Sequence, residues 1–182
     1  MNTIKLTLKG ATEWAWKMQT LLDQHRVDSE VCGSIRRMVP NGIDGIDIVV
    51  RQPVYHVFEI LERSFGCFGK KAAPDAKQLK FIIDDVVFRF YGADSESWGA
   101  MTLFATGDPF FNIELRSEAK AQGYKLNQYG LWLMEDRIAG KTEKQVFDAL
   151  GFEWVEPKNR NTSNRNKKVL RPIEQTLLKE EE

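Results

Sequence analysis

Apolar and polar residues alternate along the chain with two different periods. Between positions 11 and 22, Trp14, Met18, Leu21 and Leu22 stand at i, i+4, i+7 and i+8, which predicts an amphipathic helix. Short apolar runs bounded by Gly, Pro and Asp predict strands. Further helices are predicted at 53–65, 97–106, 109–121 and 142–150, and strands at 29–32, 43–51, 79–83, 86–91, 124–127 and 130–134. This order indicates strand–helix units around a sheet, in an α+β fold.

The predicted strands 79–83 and 86–91 are separated only by Asp84 and Asp85, which is typical of a tight hairpin. Successive side chains of a strand point to opposite faces of the sheet. We therefore expect one face of the second strand in the core and an arginine on the other face. The first face carries Val86, Phe88 and Phe90, and the second carries Val87, Arg89 and Tyr91.

Composition narrows the class of protein. The 182 residues have a formal net charge of zero and 42% hydrophobic content, which suits one folded domain or one domain with a small appendage. No apolar run approaches the roughly 20 residues of a membrane span. We therefore expect no membrane association and a cytoplasmic protein, or a viral or phage protein acting in the host cytoplasm. Cys32 and Cys67 have no third Cys or nearby His and are interpreted as lone thiols.

A basic segment lies near the end of the chain. From Lys158 to Arg171, lysines and arginines alternate with Asn, Ser and Thr, and no acid occurs. Such a composition cannot build a core. It predicts a mobile basic arm, which either binds phosphate groups or is a solvated linker.

The candidate chemistry lies in residues 31–50. A glycine–serine turn at Gly33 and Ser34 is followed by Arg36 and Arg37 and then by a strand that carries Asp47. Freed backbone N–H groups, a hydroxyl and an arginine fork suit a triphosphate, and carboxylates on the strand suit the Mg²⁺ that bridges it. The pattern predicts a phosphate-and-metal site.

Several separated segments, taken in order, resemble the palm and thumb of family X DNA polymerases, the polymerase beta class of nucleotidyltransferases. The resemblance covers roughly positions 11–157. It is carried by Gly33-Ser34-Ile35-Arg36-Arg37, by Asp47-Ile48-Val49-Val50, by Trp98-Gly99-Ala100 through Phe104-Ala105-Thr106-Gly107, by Asn112 with Arg116, and by the segments 123–131 and 151–157.

The resemblance implies a fold and partners. The expected organisation is a nucleotidyltransferase palm at 1–104, with a mixed sheet and flanking helices, a small α/β thumb at 105–157 and a basic, mobile C-terminal tail at 158–182. The chain would be a minimal form similar to small viral members, lacking the amino-terminal lyase domain and the DNA-binding fingers of larger ones. The implied partners are a primer–template or gapped DNA duplex and a dNTP, bound by a monomer.

The resemblance also implies roles for single residues. Gly33, Ser34 and Arg37 would bind the triphosphate. The segment 104–107 would pass beside the sugar, where family members have two aromatic residues and this chain has Ala105 in place of the second. The implied nucleotide-binding residues are Gly33, Ser34, Arg37, Phe104, Gly107 and Asn112, and the implied DNA-binding residues are Arg116 and Lys125.

The catalytic acids depart from the family pattern. Family members hold two Mg²⁺ ions, or Mn²⁺, with two acids spaced Asp-x-Asp on one strand and a third acid on a neighbouring strand. Here the spacing is Asp44-x-x-Asp47, and residues three apart on a regular strand face opposite ways. Either a bulge with Gly45 in the left-handed conformation restores both acids to one face, or Gly45 replaces the first acid. Asp44 and Asp47 remain the candidate catalytic and metal-binding residues.

The third acid position falls on Arg89, when the chain is aligned backwards from Trp98. An arginine there repels Mg²⁺ and is free to pair with Asp47 or with a triphosphate. The leading hypothesis is a family X DNA polymerase that adds dNMP to a primer 3′-hydroxyl in gap filling or repair, with catalysis reduced or absent. The alternative is an inactive polymerase-like protein that binds nucleotide or DNA ends. A nucleotidyltransferase that modifies something other than a primer is a third hypothesis.

Overall fold

The fold was analysed in a computed structural model that describes residues 3–66, 73–161 and 169–173. Within these residues the helices are α1 (Leu8–Gln24), α2 (Gly33–Arg36), α3 (Val54–Phe65), α4 (Trp98–Thr106), α5 (Pro109–Ala121) and α6 (Glu143–Ala149), followed by a 3₁₀ turn at Pro157–Asn159. The strands are β1 (Ser29–Val31), β2 (Ile46–Val50), β3 (Gln78–Ile83), β4 (Val86–Gly92), β5 (Lys125–Asn127), β6 (Gly130–Leu133) and β7 (Asp136–Ala139).

The first sheet is mixed and has the strand order β1-β2-β4-β3. Strand β2 runs antiparallel to β1 and parallel to β4, and β4 pairs with β3 as an antiparallel hairpin. Both hairpin residues, Asp84 and Asp85, have positive φ angles, as the predicted tight turn requires. The register places Asp47 of β2 directly beside Arg89 of β4.

Helices α1 and α3 cover one face of this sheet. Their apolar stripes pack against the side chains of β2, β3 and β4 that point to the same side. Phe88 and Phe90 are fully buried there, and Trp14 meets Phe88 edge to face at 6.3 Å between ring centroids. Helix α4 packs on the opposite face, where Val49 contacts a cluster with Met101 and Ala105. The sheet is therefore closed on both sides, except where its polar side chains face a pocket.

The second layer consists of α5, α6 and the antiparallel sheet β5-β6-β7. Its core is a separate cluster that includes Leu103 of α4, Phe111 and Leu115 of α5, and Phe147 of α6. Because α4 contributes to the clusters on both sides, it joins the two layers. None of the described helices combines the length and the apolar character that crossing a bilayer requires.

The α+β architecture predicted from the sequence is confirmed, with a mixed sheet and flanking helices. Bounds of the predicted elements agree to within a few residues, and α5 occupies the predicted span 109–121. Strand β7 is an addition, because no strand was predicted at Asp136–Ala139. The long predicted strand at 43–51 is shorter in the structure, since β2 begins only at Ile46.

The predicted mobile tail at 158–182 needs correction for the two segments of it that the structure describes. Arg160 is fully buried, and Leu170 lies in the core of the second layer. The amide of Glu153 donates to the carbonyl of Arg171 at 2.8 Å, so residues 169–173 are bound to the second layer through their backbone. The physical reason is that Leu170 packs into the apolar core of the second layer and Arg160 pairs with Glu143, which local composition does not reveal. The rest of the predicted tail lies outside the described residues.

Candidate functional site

One open pocket of about 500 Å³ brings together nearly all of the candidate residues. It lies between the polar face of the first sheet and helices α2, α4 and α5. Two candidates do not line the pocket: Lys125 is an exposed residue of β5, and Arg89 stands behind the lining, where it contacts Asp44 and Asp47. The lining residues that were predicted are Gly33, Ser34, Arg37, Asp44, Asp47, Phe104, Gly107, Asn112 and Arg116, together with Ala105 at the position of the family's second aromatic. Those that were not assigned a role are Tyr91, Pro109 and Ile113.

The glycine–serine turn is held against the aspartate strand. Gly33 has a φ of 61°, in the left-handed region that favours glycine. A Cβ atom at this position would collide with the carboxylate of Asp47, so only glycine fits. The amide of Cys32 donates to the carbonyl of Asp47 at 2.7 Å, which fixes the turn to β2. The turn and helix at residues 33–37, called the cradle below, and strand β2, which carries Asp47, are thus one rigid unit.

Arg37 is held on three sides. Its Nη2 donates to Ser34 Oγ at 3.3 Å, its Nε donates to Asn161 Oδ1 at 3.1 Å, and its Nη1 donates to the carbonyl of Thr106. Burial lowers the pKa of Arg37, while the carboxylates of Asp108 and Asp47 oppose that shift. An arginine remains charged despite such a shift, so the pocket has a pre-positioned cation.

Arg89 lies between the two aspartates. Its Nη2 is 3.2 Å from Asp44 Oδ1 and its Nη1 is 3.5 Å from Asp47 Oδ1. Gly45 is not among the glycines with positive φ in the described part of the chain, so the left-handed bulge is not formed. Both acids nevertheless reach one guanidinium, because Asp44 lies in the loop before β2 and escapes the alternation of the strand. The place of a side chain at position 45 is occupied by Arg89, whose Nη1 would be 2.7 Å from a Cβ atom there.

The two aspartates differ in environment. The side chain of Asp47 is 14% exposed, whereas that of Asp44 is 70% exposed. Burial raises the pKa of Asp47, although Arg89 and a hydrogen bond from the Tyr91 hydroxyl at 3.0 Å stabilise its ionised form. Burial alone would lower the pKa of Arg89, but Asp47 and Asp44 raise it. Asp47 is thus a largely buried carboxylate whose charge Arg89 and Tyr91 offset only in part.

Tyr91 is a site residue to which sequence reasoning gave no role. The available signal was its position two residues after Arg89, which places both side chains on the face opposite the core. Burial and the charge of Asp47 raise the pKa of the Tyr91 hydroxyl. The hydroxyl therefore stays protonated and acts as a hydrogen-bond donor to Asp47.

These residues do not fit a two-metal centre. Such a centre needs oxygen ligands from three carboxylates, and Mg²⁺ binds through oxygen with near-octahedral geometry. Here both acids already contact a guanidinium, and no group of three His, Cys, Asp or Glu side chains that could hold a metal ion occurs in the described ranges. A divalent cation would have to displace Arg89 from both aspartates.

The opposite wall of the pocket is built by α4 and α5. Asn112 Nδ2 donates to the carbonyl of Phe104 at 2.9 Å, and the guanidinium of Arg116 lies 5.5 Å from the centroid of the Phe104 ring. Phe104 also meets Tyr91 edge to face at 6.1 Å. The aromatic ring is therefore fixed from two sides, and it presents apolar surface between charged groups.

A buried charge cluster supports the cradle from behind. Glu143 at the start of α6 accepts two hydrogen bonds from Arg160, at 2.8 and 3.0 Å, and two from Arg36, at 2.7 and 3.2 Å. Trp154 Nε1 donates to the same carboxylate at 3.3 Å. Arg36 belongs to the cradle helix α2, so the cluster ties the cradle to the second layer. Sequence reasoning missed it, since the residues are far apart in the chain and Arg160 stood in an apparently solvated run.

Burial would raise the pKa of Glu143, but hydrogen bonds and charge from Arg160 and Arg36 hold it below its usual range. Burial would also lower the pKa of Arg36, yet Glu143 raises it. Glu143 and Arg36 are therefore ionised around neutral pH. The cluster is a permanent ionic junction between the two layers.

Comparison with known proteins identifies related sequences and a related fold. The family model for the DNA polymerase beta thumb matches residues 101–161. The chain is 27% identical over 173 residues to DNA polymerase lambda of Arabidopsis thaliana, covering 72% of this chain and only 31% of that relative. It therefore spans about a third of the length of the plant relative.

Two further matches cover a larger share of the compared protein. The chain is 30% identical over 136 residues to Repair DNA polymerase X of an African swine fever virus isolate, covering 70% of this chain and 78% of the viral protein. The structure superimposes on Leishmania infantum polymerase beta with a TM-score of 0.74 and 20% identity, covering 88% of this chain and 78% of that one, which shows the same fold. Motif order and the viral match, which covers more than two thirds of both proteins, lead to one conclusion: this chain belongs to the family X DNA polymerases.

Proposed function

We propose that the pocket binds a nucleoside triphosphate beside a DNA primer–template, and that transfer of the nucleotide to the primer 3′-hydroxyl is slower by orders of magnitude than in members with three acids. The observation that carries the proposal is the position of Arg89, which pairs with both Asp44 and Asp47. The assignment of residues 1–104 to the palm and 105–157 to the thumb is part of the same proposal. The predicted monomeric state stays a prediction.

Several features support nucleotide binding. Gly33 frees backbone N–H groups at the turn, and Ser34 and Arg37 line the same wall. Phe104 and Asn112 offer an apolar ring and an amide on the other side. Turns of this kind with an adjacent arginine suit phosphate oxygens, and an aromatic ring suits a sugar or base. The distribution of groups therefore matches the parts of a nucleotide.

DNA is supported as the second partner by the family and by one structural neighbour. The Leishmania infantum polymerase beta structure is described as a ternary P/T complex. In the present chain Arg116 is exposed at the rim of the pocket and Lys125 is exposed on β5. We infer that both contact the DNA backbone or the template, as the family resemblance implies.

Slow transfer follows from the groups around the acids. The primer hydroxyl must lose a proton as it attacks, and a general base has to stand within hydrogen-bond reach of it. Arg89 occupies the third acid position and accepts no proton. The divalent ions of the family supply charge neutralisation during transfer, but the donor set here does not fit them. We therefore assign no metal-assisted step to this chain.

Primer extension on a gapped duplex tests the proposal. We expect the wild-type chain to bind labelled gapped DNA in an anisotropy titration and to extend it slowly or not at all with Mg²⁺ or Mn²⁺. Arg89→Asp is expected to raise the extension rate by about tenfold or more, because it supplies the missing carboxylate. Robust wild-type extension that is abolished by Asp47→Ala would overturn the slow-transfer proposal. Failure to bind both DNA and dNTP would overturn the binding proposal.

A second candidate is an active polymerase whose acids are released when substrates bind. The observation that favours it is the exposure of Asp44 and the length of the Asp47–Arg89 contact, 3.5 Å. In this case extension needs no substitution at Arg89. The same extension assay separates the two candidates.

A further inference from the structure

We propose that this pocket takes a nucleoside triphosphate without a divalent cation, and that Arg89 supplies the positive charge which a metal ion would otherwise bring. The inference rests on the proposed function, namely that the pocket binds a nucleoside triphosphate at all. It concerns the form of the ligand: the free polyanion rather than its Mg²⁺ complex.

The first argument is the charge balance inside the pocket. Two arginines, Arg37 and Arg116, and two aspartates, Asp44 and Asp47, line the pocket. Arg89 contacts both aspartates and Asp108 acts on Arg37, so three arginines balance the three acids and the acids are not in excess. In an acid-lined site without such a cation, a triphosphate would be repelled until metal ions screened the carboxylates. Here the charge that screens the carboxylates belongs to the protein itself, on the side chain of Arg89.

The second argument is the row of residues across the sheet. The register pairs Asp47 of β2 with Arg89 of β4, and Arg89 with Lys80 of β3. Residues paired in this way share one face of a sheet. The exposed Lys80 therefore lies beside Arg89 on the side that holds the pocket. A polyanion that approaches Arg89 meets two neighbouring cations and not an isolated one.

The third argument is competition for the aspartates. Oδ1 of Asp47 already accepts from Tyr91 and contacts Arg89, and the carboxylate packs against the turn at Gly33. Little of this side chain is left for a metal ion, because an ion that binds Asp47 would have to break its contacts with Tyr91 and Arg89. Triphosphate oxygens need no such displacement, because the partly exposed guanidinium has further N–H groups to donate.

Equilibrium binding of a fluorescent dATP analogue in excess EDTA and in excess Mg²⁺ tests the inference. We expect the wild-type affinity in EDTA to equal or exceed that in Mg²⁺. Arg89→Asp is expected to lose about tenfold or more of the affinity in EDTA, as a charge-assisted contact is lost, and to regain affinity when Mg²⁺ is added. Arg63→Asp, an equal change of charge on the exposed end of α3, serves as the matched control and is expected to leave both affinities unchanged.

A second variant keeps the test valid if Arg89→Asp does not fold. Arg89→Met removes the cation without adding an acid, and it is expected to lose affinity in EDTA with an unchanged far-UV circular dichroism spectrum. Inorganic tripolyphosphate is expected to compete with the dATP analogue in EDTA, since the phosphates carry the interaction.

The outcomes separate this inference from the proposed function. Wild-type binding that requires Mg²⁺ overturns the inference and leaves the proposed function standing. Unchanged affinity of a folded Arg89→Met variant in EDTA also overturns the inference. Absence of binding in both buffers overturns the proposed function itself.

Discussion

Two charge clusters in this molecule have opposite compositions. At the junction of the layers, one carboxylate, Glu143, stands between the guanidiniums of Arg36 and Arg160. In the pocket, one guanidinium, Arg89, stands between the carboxylates of Asp44 and Asp47. Glu143 is 7% exposed and Arg160 is 0% exposed, whereas the Arg89 side chain is 31% exposed.

The difference teaches which ionic group is structural and which is open to a ligand. At the junction, hydrogen bonds outweigh burial and the pKa of Glu143 falls; in the pocket, burial outweighs its partners and the pKa of Asp47 rises. A well-satisfied buried ion resists change, and removal of one partner is strongly destabilising. An incompletely satisfied ion beside an open pocket is a place where an outside charge is bound.

Breaking the junction is expected to have the largest effect. Glu143→Gln keeps the size of the side chain but leaves the buried Arg160 without a counter-charge. We expect a loss of about 3–5 kcal/mol in the free energy of unfolding, measured by urea denaturation at neutral pH. Lys144→Gln, the neighbouring exposed residue, is the control. A loss comparable to the control would contradict the structural role of the junction.

The dependence of the unfolding free energy on pH in the acid range tests the same structural role of Glu143. The pKa of Glu143 is lowered in the folded state, so its stabilisation is complete above the ordinary glutamate pKa of about 4.3 and is lost as pH falls through the folded value. The difference in unfolding free energy between the wild type and Glu143→Gln is therefore expected to narrow as pH falls below about 4. A difference that stays constant between pH 7 and pH 3 would be inconsistent with this assignment.

Removal of Arg89 is expected to have an intermediate effect. In Arg89→Met the largely buried Asp47 loses its cation, which costs about 1–3 kcal/mol at neutral pH. The folded-state pKa of Asp47 then rises further above its unfolded value, so stability is expected to recover as pH falls. Thermal unfolding at several pH values measures this. In the double variant with Asp47→Asn the recovery is expected to vanish.

Removal of the exposed acid is expected to have the smallest effect. Asp44 is 70% exposed, and ion pairs in water contribute little. Asp44→Asn is expected to change the free energy of unfolding by less than about 0.5 kcal/mol, as measured by urea denaturation. A larger loss would show that the Asp44–Arg89 pair has the buried character of the junction.

Local signals in the sequence explain how much of the fold was predictable. Asp108 caps α5 by accepting from the amide of Phe111 at 2.9 Å, and the helix has the predicted span. Capping residues, proline and apolar spacing act over a few residues, so they can be identified without a structure. Strand β7 has three exposed residues and no alternation, so only its pairing with β6 reveals it.

The candidate site shows the same limit. The cradle, the aspartates and Arg89 were identified from motif spacing; the pocket contains the cradle and the aspartates, and Arg89 contacts both aspartates. The contact of Asn161 with Arg37 and the pairing of Arg160 with Glu143 were not predicted, because they depend on a return of the chain over long distances. A run of basic and amide residues has the composition of a solvated arm whether or not one arginine is buried. Local composition does not reveal such partners.

The space beside Gly45 couples position 45 to position 89 on any mutational route to three acids. A side chain at position 45 would come within 2.7 Å of the Arg89 guanidinium, so the flexible end of Arg89 would have to shift. Arg89→Asp shortens the side chain that fills this space. The two positions are therefore expected to be epistatic: the change in the free energy of unfolding on Gly45→Asp should differ between the wild-type and the Arg89→Asp backgrounds.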